Sequence, residues 1–242
     1  MQELFYTAVG NLLIKYGESG SKYPVIMINR KENLLDPQEF AVWSILCWRI
    51  YGAEELTMKY EEIAGSLPPA KRTLENCVKR LETRGLVAKG TGETDFEALY
   101  DLLSDLYVMP VSENLALRLI AFLKLVFCNG VSIRRAWMLF RRDRRDDQEA
   151  KVMALSGQAL LSTAELVKCA EVGAVDISTD EKLLDALYAD DETTSDNIGM
   201  LMQTARSRKA VTAAVANLYL RKQIVLELTI SLWLSHKREQ VE

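Results

Sequence analysis

All five prolines of this 242-residue chain, Pro24, Pro37, Pro68, Pro69 and Pro110, fall before residue 111. Proline fixes φ and removes a backbone donor, so it punctuates helices and central strands alike. Glycine is also sparse in the second half, at Gly130, Gly157, Gly173 and Gly199. Long stretches without breakers, with apolar residues near a 3.6-residue period, predict helix after helix. The first half is punctuated and mixed. A boundary near Val111 follows, separating residues 1–111 from a helical 112–242.

Composition narrows the classes. Hydrophobic residues make up 49% and charged residues 26%, which excludes disorder as the default. Thirty Lys and Arg face 34 Asp and Glu, a net charge of -4, so a nucleic-acid binder held by bulk charge alone is excluded. The single histidine, His236, argues against histidine catalysis and multi-histidine metal sites. Cys47, Cys77, Cys128 and Cys169 show no CxxC pair; they read as buried free thiols in a reducing compartment. Met1-Gln2-Glu3-Leu4 lacks the basic and apolar runs of a secretory signal. The apolar stretch 115–128 is broken by Arg118 and Lys124 and is shorter than the roughly 20 residues that span a bilayer. A cytoplasmic protein without membrane contact is expected.

Along the first half, Leu4, Phe5, Ala8, Val9, Leu12 and Leu13 predict an amphipathic helix over 2–16. Pro24 to Asn29 reads as a strand. Asp36-Pro37 reads as an N-cap and first helical position, opening a helix to about Tyr51. A second helix is read over 57–67, ended by Pro68-Pro69, and a third over 69–84, with Gly85 at C′. Leu86 to Lys89 is read as a strand, Gly90-Thr91-Gly92 as a turn and Leu106 to Met109 as the returning strand. Phe96 to Leu103 makes one or two helical turns inside that hairpin.

Three helices followed by a hairpin is the order of a winged helix-turn-helix. The run Tyr60-Glu61-Glu62-Ile63-Ala64-Gly65-Ser66-Leu67, then Arg72-Thr73-Leu74 through Val78, Leu81 and Gly85-Leu86-Val87, resembles bacterial MarR-like winged-helix transcriptional regulators over roughly residues 25–111. The resemblance implies a sequence-specific regulator of double-stranded DNA. Because one helix reads only a few base pairs, a homodimer is implied as well. The fold expected is mainly α: a winged-helix domain at 1–111, then a helical domain at 112–242, with a connector at 112–175.

On the third helix, Leu74, Cys77, Val78 and Leu81 share the core-facing side at 100° per residue. The opposite side carries Arg72, Asn76, Lys79 and Thr83, whose side chains suit base edges. Lys71, Arg80, Arg84 and Lys89 flank them as phosphate partners. From Pro68 to Gly90 six cations face Glu75 and Glu82, a local +4. A solvated face is the plain alternative. The hairpin itself is acidic, with Glu93, Asp95, Glu97, Asp101 and Asp105, which phosphates repel. That feature supports a competing expectation, an adaptor that binds protein through the acidic hairpin and the C-terminal helices.

Helices are read at 112–129, 131–145 and 147–172. Arg134, Arg135, Arg141, Arg142, Arg144 and Arg145, interleaved with Asp143, Asp146 and Asp147, make either a phosphate patch or local ion pairs. Residues 176–242 echo the first motif: a helix capped at Ser178-Thr179-Asp180, another over 194–205, a third capped by Ser207, then Gln223 to Leu226. Val215 and Leu218 match Val78 and Leu81 with a one-residue shift at the strand. Opposite the core this copy presents Lys209, Ala213, Ala216 and Leu220, which suits docking, with Trp233 in an apolar 230–234 segment beyond it. Asp190-Asp191-Glu192 reads as a solvated linker. Nucleotide-binding, zinc-protease and serine-hydrolase motifs are absent, so neither enzyme activity nor a cofactor or metal is expected, and no effector ligand is assigned.

Overall fold

The computed structural model describes residues 2–16, 20–66, 72–111, 132, 144–188 and 198–228. At Gly10, φ is +91° and the chain turns between β1 (Glu3–Ala8) and β2 (Asn11–Tyr16). A Cβ there would stand 2.5 Å from Cγ1 of Ile28 and 2.6 Å from the Met27 carbonyl oxygen. Only glycine makes this corner. The helix read over 2–16 is therefore two strands. Leu4, Phe5 and Ala8 lie on β1 and Leu12 and Leu13 on β2, so the i, i+4 apolar spacing crosses the corner and lines no helix face.

β2 joins β3 (Lys22–Ile28) and β4 (Lys31–Asn33) in an antiparallel sheet of order β2-β3-β4. Its outer edge is unusual in that Leu12, Leu13, Ile14 and Tyr16 are all exposed. α1 (Pro37–Trp48) begins on Asp36, whose Oδ1 accepts from the N–H groups of Gln38 and Glu39 at 3.0 and 2.8 Å. Glu39 Oε2 accepts in return from the Asp36 N–H at 3.3 Å, closing a capping box. Then follow β5 (Tyr51–Gly52), α2 (Ala53–Ala64), α3 (Leu74–Thr83) and β6 (Val87–Gly92). β1 lies between β5 and β6, antiparallel to both, with Phe5 opposite Gly52 and Gly90.

The hairpin read between residues 86 and 109 does not form. Gly90 and Gly92 lie within β6, and α4 (Asp95–Ser104) packs directly on them. A Cβ on Gly90 would meet the Leu102 nitrogen at 2.3 Å, and one on Gly92 the Ala98 nitrogen at 2.3 Å. These glycines serve close helix approach, a role that looks like a turn in sequence. β7 (Leu106–Pro110) leaves β6 altogether and pairs with β8 (Leu161–Ser162) and β9 (Ile224–Leu228) in a third sheet, order β8-β7-β9.

Among the described residues the second half further holds α5 (Asp147–Ser156), α6 (Thr163–Glu171), α7 (Asp180–Tyr188) and α8 (Ile198–Leu220). Three expectations change here. The helix read over 147–172 is split by β8, because Gly157 closes α5 and Ser162 opens α6 with a capping box to Glu165. The described part of the helix read over 194–205 and the helix read as capped by Ser207 are one, α8, and Ser207 lies mid-helix. The all-helical 112–242 contains β8 and β9, whose partner β7 precedes the boundary read from the prolines. Among the described residues the architecture is mixed α/β: eight helices and three small antiparallel sheets.

With the inserted β2–β4 sheet set aside in the first half and α7 in the second, one order of elements occurs twice: strand, helix, two-residue strand, helix, helix, strand. Glu39 and Leu56 are buried in the first unit (β1, α1, β5, α2, α3, β6); Glu149 and Leu166, at the same separation, are buried in the second (β7, α5, β8, α6, α8, β9). Register repeats too: Tyr107 faces Ser162 and Glu227 as Phe5 faces Gly52 and Gly90. α3 ends with Gly85 at φ +69°, the Gly85 N–H donating to Glu82 O and the Leu86 N–H to Leu81 O at 2.8 Å. α8 ends with Lys222 at φ +58°, the Lys222 N–H donating to Tyr219 O and the Gln223 N–H to Leu218 O at 2.9 Å. Both are Schellman turns. Val78 and Leu81 thus match Val215 and Leu218 with no shift at the strand. The first two helices of the second unit are α5 and α6, not those read at 178–205.

One apolar cluster runs through both units, joining Val42, Trp43 and Leu46 of α1 to Leu166, Val215, Leu218 and Ile224. Lys71, Arg134, Arg135, Arg141, Arg142, Asp143, the helix at 112–129, Cys128, Asp190 to Glu192, Trp233 and His236 lie outside the described residues. Among the described residues no helix is long and apolar enough to cross a membrane.

Candidate nucleic-acid interface

α3 is oriented by its apolar side. Cys77, Val78 and Leu81 are buried against the core, and Thr73 caps the helix by accepting from the Asn76 N–H at 3.3 Å. The opposite side carries Asn76, Lys79 and Thr83, all exposed. Among the described residues, the side chains of Asn76 and Lys79 have no hydrogen-bond or ion-pair partner. The Thr83 hydroxyl donates to the Lys79 carbonyl at 2.8 Å, leaving its oxygen as an acceptor. Lys89 is exposed on β6.

Arg72, Arg80 and Arg84 are arranged differently. Arg72 precedes the helix and pairs with Asp36. Arg80 Nε donates to Glu39 Oε1 at 2.6 Å, and Arg84 Nη1 to Glu39 Oε2 at 3.1 Å. Arg84 Nη2 also reaches the Leu34 carbonyl at 2.8 Å. Glu39, 2% exposed, is therefore compensated by two guanidinium groups, as a buried carboxylate must be. The hydrogen bond from Arg80 to Glu39 raises the guanidinium's pKa. These arginines fasten α3 to the N-terminus of α1. Once Asp36 and Glu39 are counted with Glu75 and Glu82, the local +4 falls to +2. Arg80 keeps half of its side chain in solvent (51%).

Neither Asp36 nor Glu39 stands out from sequence as a partner of α3. A signal was present: Asp36-Pro37-Gln38-Glu39 recurs as Asp146-Asp147-Gln148-Glu149. In the second unit Glu149, 1% exposed, accepts from Arg221 Nη1 at 2.8 Å. Arg145, one of the arginines of the basic run, donates to Gln223 at 2.6 Å.

The acidic residues sit on and around α4. Glu97 completes a capping box with Thr94, where a carboxylate also complements the helix dipole. Asp101 Oδ2 accepts from the Thr91 N–H at 2.8 Å. Glu93, Asp95 and Asp105 are exposed.

The counterpart of the α3 outer face is unlike it. Lys209 and Ala213 are exposed, Ala216 is buried, and Leu220 is half-exposed. Arg208 stacks 4.6 Å from the ring centroid of Tyr100 on α4. At the end of α8 the Tyr219 hydroxyl donates to Leu46 O at 3.2 Å and the Lys222 ammonium donates to Cys47 O. Both cap the C-terminus of α1 from the other unit. Burial holds the Tyr219 phenol well above its ordinary pKa. Cys47, Cys77 and Cys169 are free thiols, each pushed up chiefly by burial.

Comparison with known protein families, curated proteins and solved structures finds no match.

Proposed function

We propose that the chain is a sequence-specific, double-stranded-DNA-binding transcriptional regulator of the cytoplasm, with α3 of the first unit entering the major groove as its recognition helix. The observation carrying this reading is the division of side chains on α3. Arg72, Arg80 and Arg84 fasten the helix to α1, while Asn76 and Lys79 point outward without a partner among the described residues. A rigid helix presenting an unpaired amide and an unpaired ammonium suits direct base readout. Lys89 and the solvated half of Arg80 suit phosphates. On this reading the second unit is a degenerate copy of the first that docks through α8, and no catalytic residue or cofactor is involved. A homodimer belongs to the proposal because a single α3 covers few base pairs. The exposed apolar edge of β2 supports a second copy, since unguarded edges pair with other chains.

Genomic selection with the purified full chain tests the reading and reports the site together. Asn76→Ala with Lys79→Ala is expected to abolish the selected motif. Enrichment of the same motif by the double variant would remove α3 from the interface. Arg72 is left out of that test because its loss also frees Asp36.

A second reading, the protein-binding adaptor, draws on Glu93, Asp95 and Asp105, exposed around α4. Neutralising these three should abolish capture of a basic partner under the adaptor reading. Under the regulator reading it should leave or strengthen DNA binding.

A further inference from the structure

The second unit holds a cavity of about 260 Å³ between α5, α6, the turn at 173–175 and α8. Its walls include Val152, Leu155, Leu166 and Val211, all buried side chains of the core. Val175, 80% exposed, brings apolar surface to its margin. Small residues, among them Ala154, Ala170, Ala174 and Ala210, keep the space open.

Two cations line it, Lys151 on α5 and Arg206 on α8. Both are exposed, and neither has a partner among the described residues. Among the described residues no Asp or Glu lines the cavity. Of the nearby carboxylates, Glu149 is buried under Arg221, Glu171 lies 3.6 Å from Lys168 and Asp176 pairs with Lys182, while Asp147, one turn before Lys151 on α5, stands exposed outside the lining. An apolar body with one negative end matches this arrangement in shape and sign.

We propose that this cavity binds a small amphipathic monocarboxylate, an alkyl chain against Val152, Leu155, Leu166 and Val211 with its carboxylate between Lys151 and Arg206. The site lies wholly in the second unit and does not depend on the reading of α3. Apolar burial supplies the affinity and the two cations supply discrimination, because a neutral or cationic head leaves them unsatisfied or repelled.

Titration calorimetry on the full chain with octanoate, octan-1-ol and octylamine tests the proposal. Octanoate is expected to bind at least tenfold more tightly than octanol, and octylamine more weakly than either. Lys151→Met with Arg206→Met should bring octanoate down to the level of octanol while leaving octanol unchanged. Ala210→Leu should abolish binding of both by filling the space. Ala154→Leu, at an exposed position of α5, repeats that block should Ala210→Leu fail to fold. Equal affinity for acid and alcohol in the wild-type chain, undiminished binding in a folded filled variant, or no octanoate binding at millimolar concentration would each overturn the assignment.

Discussion

Glu149 accepts from Arg221 at 2.8 Å across the α5–α8 junction, the counterpart of the bond between Glu39 and Arg84 in the first unit. The two carboxylates are equally buried but unequally matched. Glu39 has a second arginine, Arg80, one turn earlier on α3. The equivalent position on α8 is Asn217, exposed. Among the described residues, Glu149 Oε1 has no hydrogen-bond partner.

This difference gives the first expectation. Glu39→Gln keeps the shape and the capping acceptor but removes the charge that two arginines compensate. Breaking a buried pair costs about 3–5 kcal/mol; the partly solvated arginines bring the expected loss to about 2 kcal/mol. Asn217→Arg should do the reverse, stabilising the chain by about 1 kcal/mol through a bond to Glu149. Urea midpoints read both, and an unchanged midpoint for Asn217→Arg contradicts the equivalence of the two sites.

Lys222 carries opposing effects in one residue. Its φ of +58° costs a residue with a Cβ about 1 kcal/mol, which Lys222→Gly would relieve. Against that stand the bond to Cys47 O and the ring contacts, 4.5 Å to the Tyr219 centroid and 5.9 Å to that of Trp48. A charged hydrogen bond contributes about 1.5–3 kcal/mol and a partly desolvated cation–π contact about 1 kcal/mol. The junction contacts therefore win, and Lys222→Gly is expected to lower stability. A rise in thermal midpoint would show that the backbone term dominates.

Gly90→Ala tests the packing of α4. The new Cβ would have to share space with the Leu102 nitrogen, 2.3 Å away, and the Ala98 carbonyl oxygen, 2.4 Å away. Both are backbone atoms, so no side chain can swing aside. The expected cost is about 3 kcal/mol or more, with hydrogen exchange accelerated in α4. Wild-type protection there would mean that the helix can stand further from β6.

Legibility in the sequence followed the range of the interaction. Asp36-Pro37 and Gly85 were legible because capping and left-handed turns depend on a few neighbouring residues. Phe5 gave no hint that its partner is Gly90, since strand pairing over such separations leaves no local mark. The two glycines of β6 were misleading for the same reason: their need is set by α4, not by the chain beside them. On α3 the outward positions of Asn76, Lys79 and Thr83 follow from 100° per residue. The engagement of Arg72, Arg80 and Arg84 does not, because Asp36 and Glu39 belong to another helix start. The match of Val78 and Leu81 with Val215 and Leu218 was one long-range feature legible in the sequence; the duplicated Asp-x-Gln-Glu is another, and it marks the start of the equivalent helices α1 and α5.

Glu227 on β9 should make stability depend on pH. Burial raises its carboxyl pKa above the usual 4.5. Above the folded-state pKa both states are ionised and the folded state bears the desolvation penalty. As pH falls through that value towards 4.5 the folded carboxylate protonates first, and the penalty is relieved. Glu227→Gln is therefore expected to be more stable than wild type at pH 7, with the difference shrinking towards pH 4.5. Because the group is about half in solvent, the gain is below about 1 kcal/mol, or less than about 3 °C in a melting scan. A variant no more stable at pH 7 than near pH 4.5 would contradict this.

The last expectation separates two kinds of contact at the proposed interface. Lys89 is exposed on β6, and under the proposed reading its ammonium would meet phosphate without regard to sequence. Lys89→Ala should weaken binding to specific and random duplexes alike and reduce the magnitude of the slope of log K against log salt by about 1. Asn76, by contrast, is a single amide that can pair with one adenine edge. Asn76→Ala should cost about 1–3 kcal/mol on the selected site, leave random duplex unchanged and keep the salt slope. Fluorescence anisotropy over a salt series measures both variants on the same two duplexes. If Asn76→Ala also weakens random duplex equally, α3 contacts only the backbone, and sequence reading must reside elsewhere in the chain.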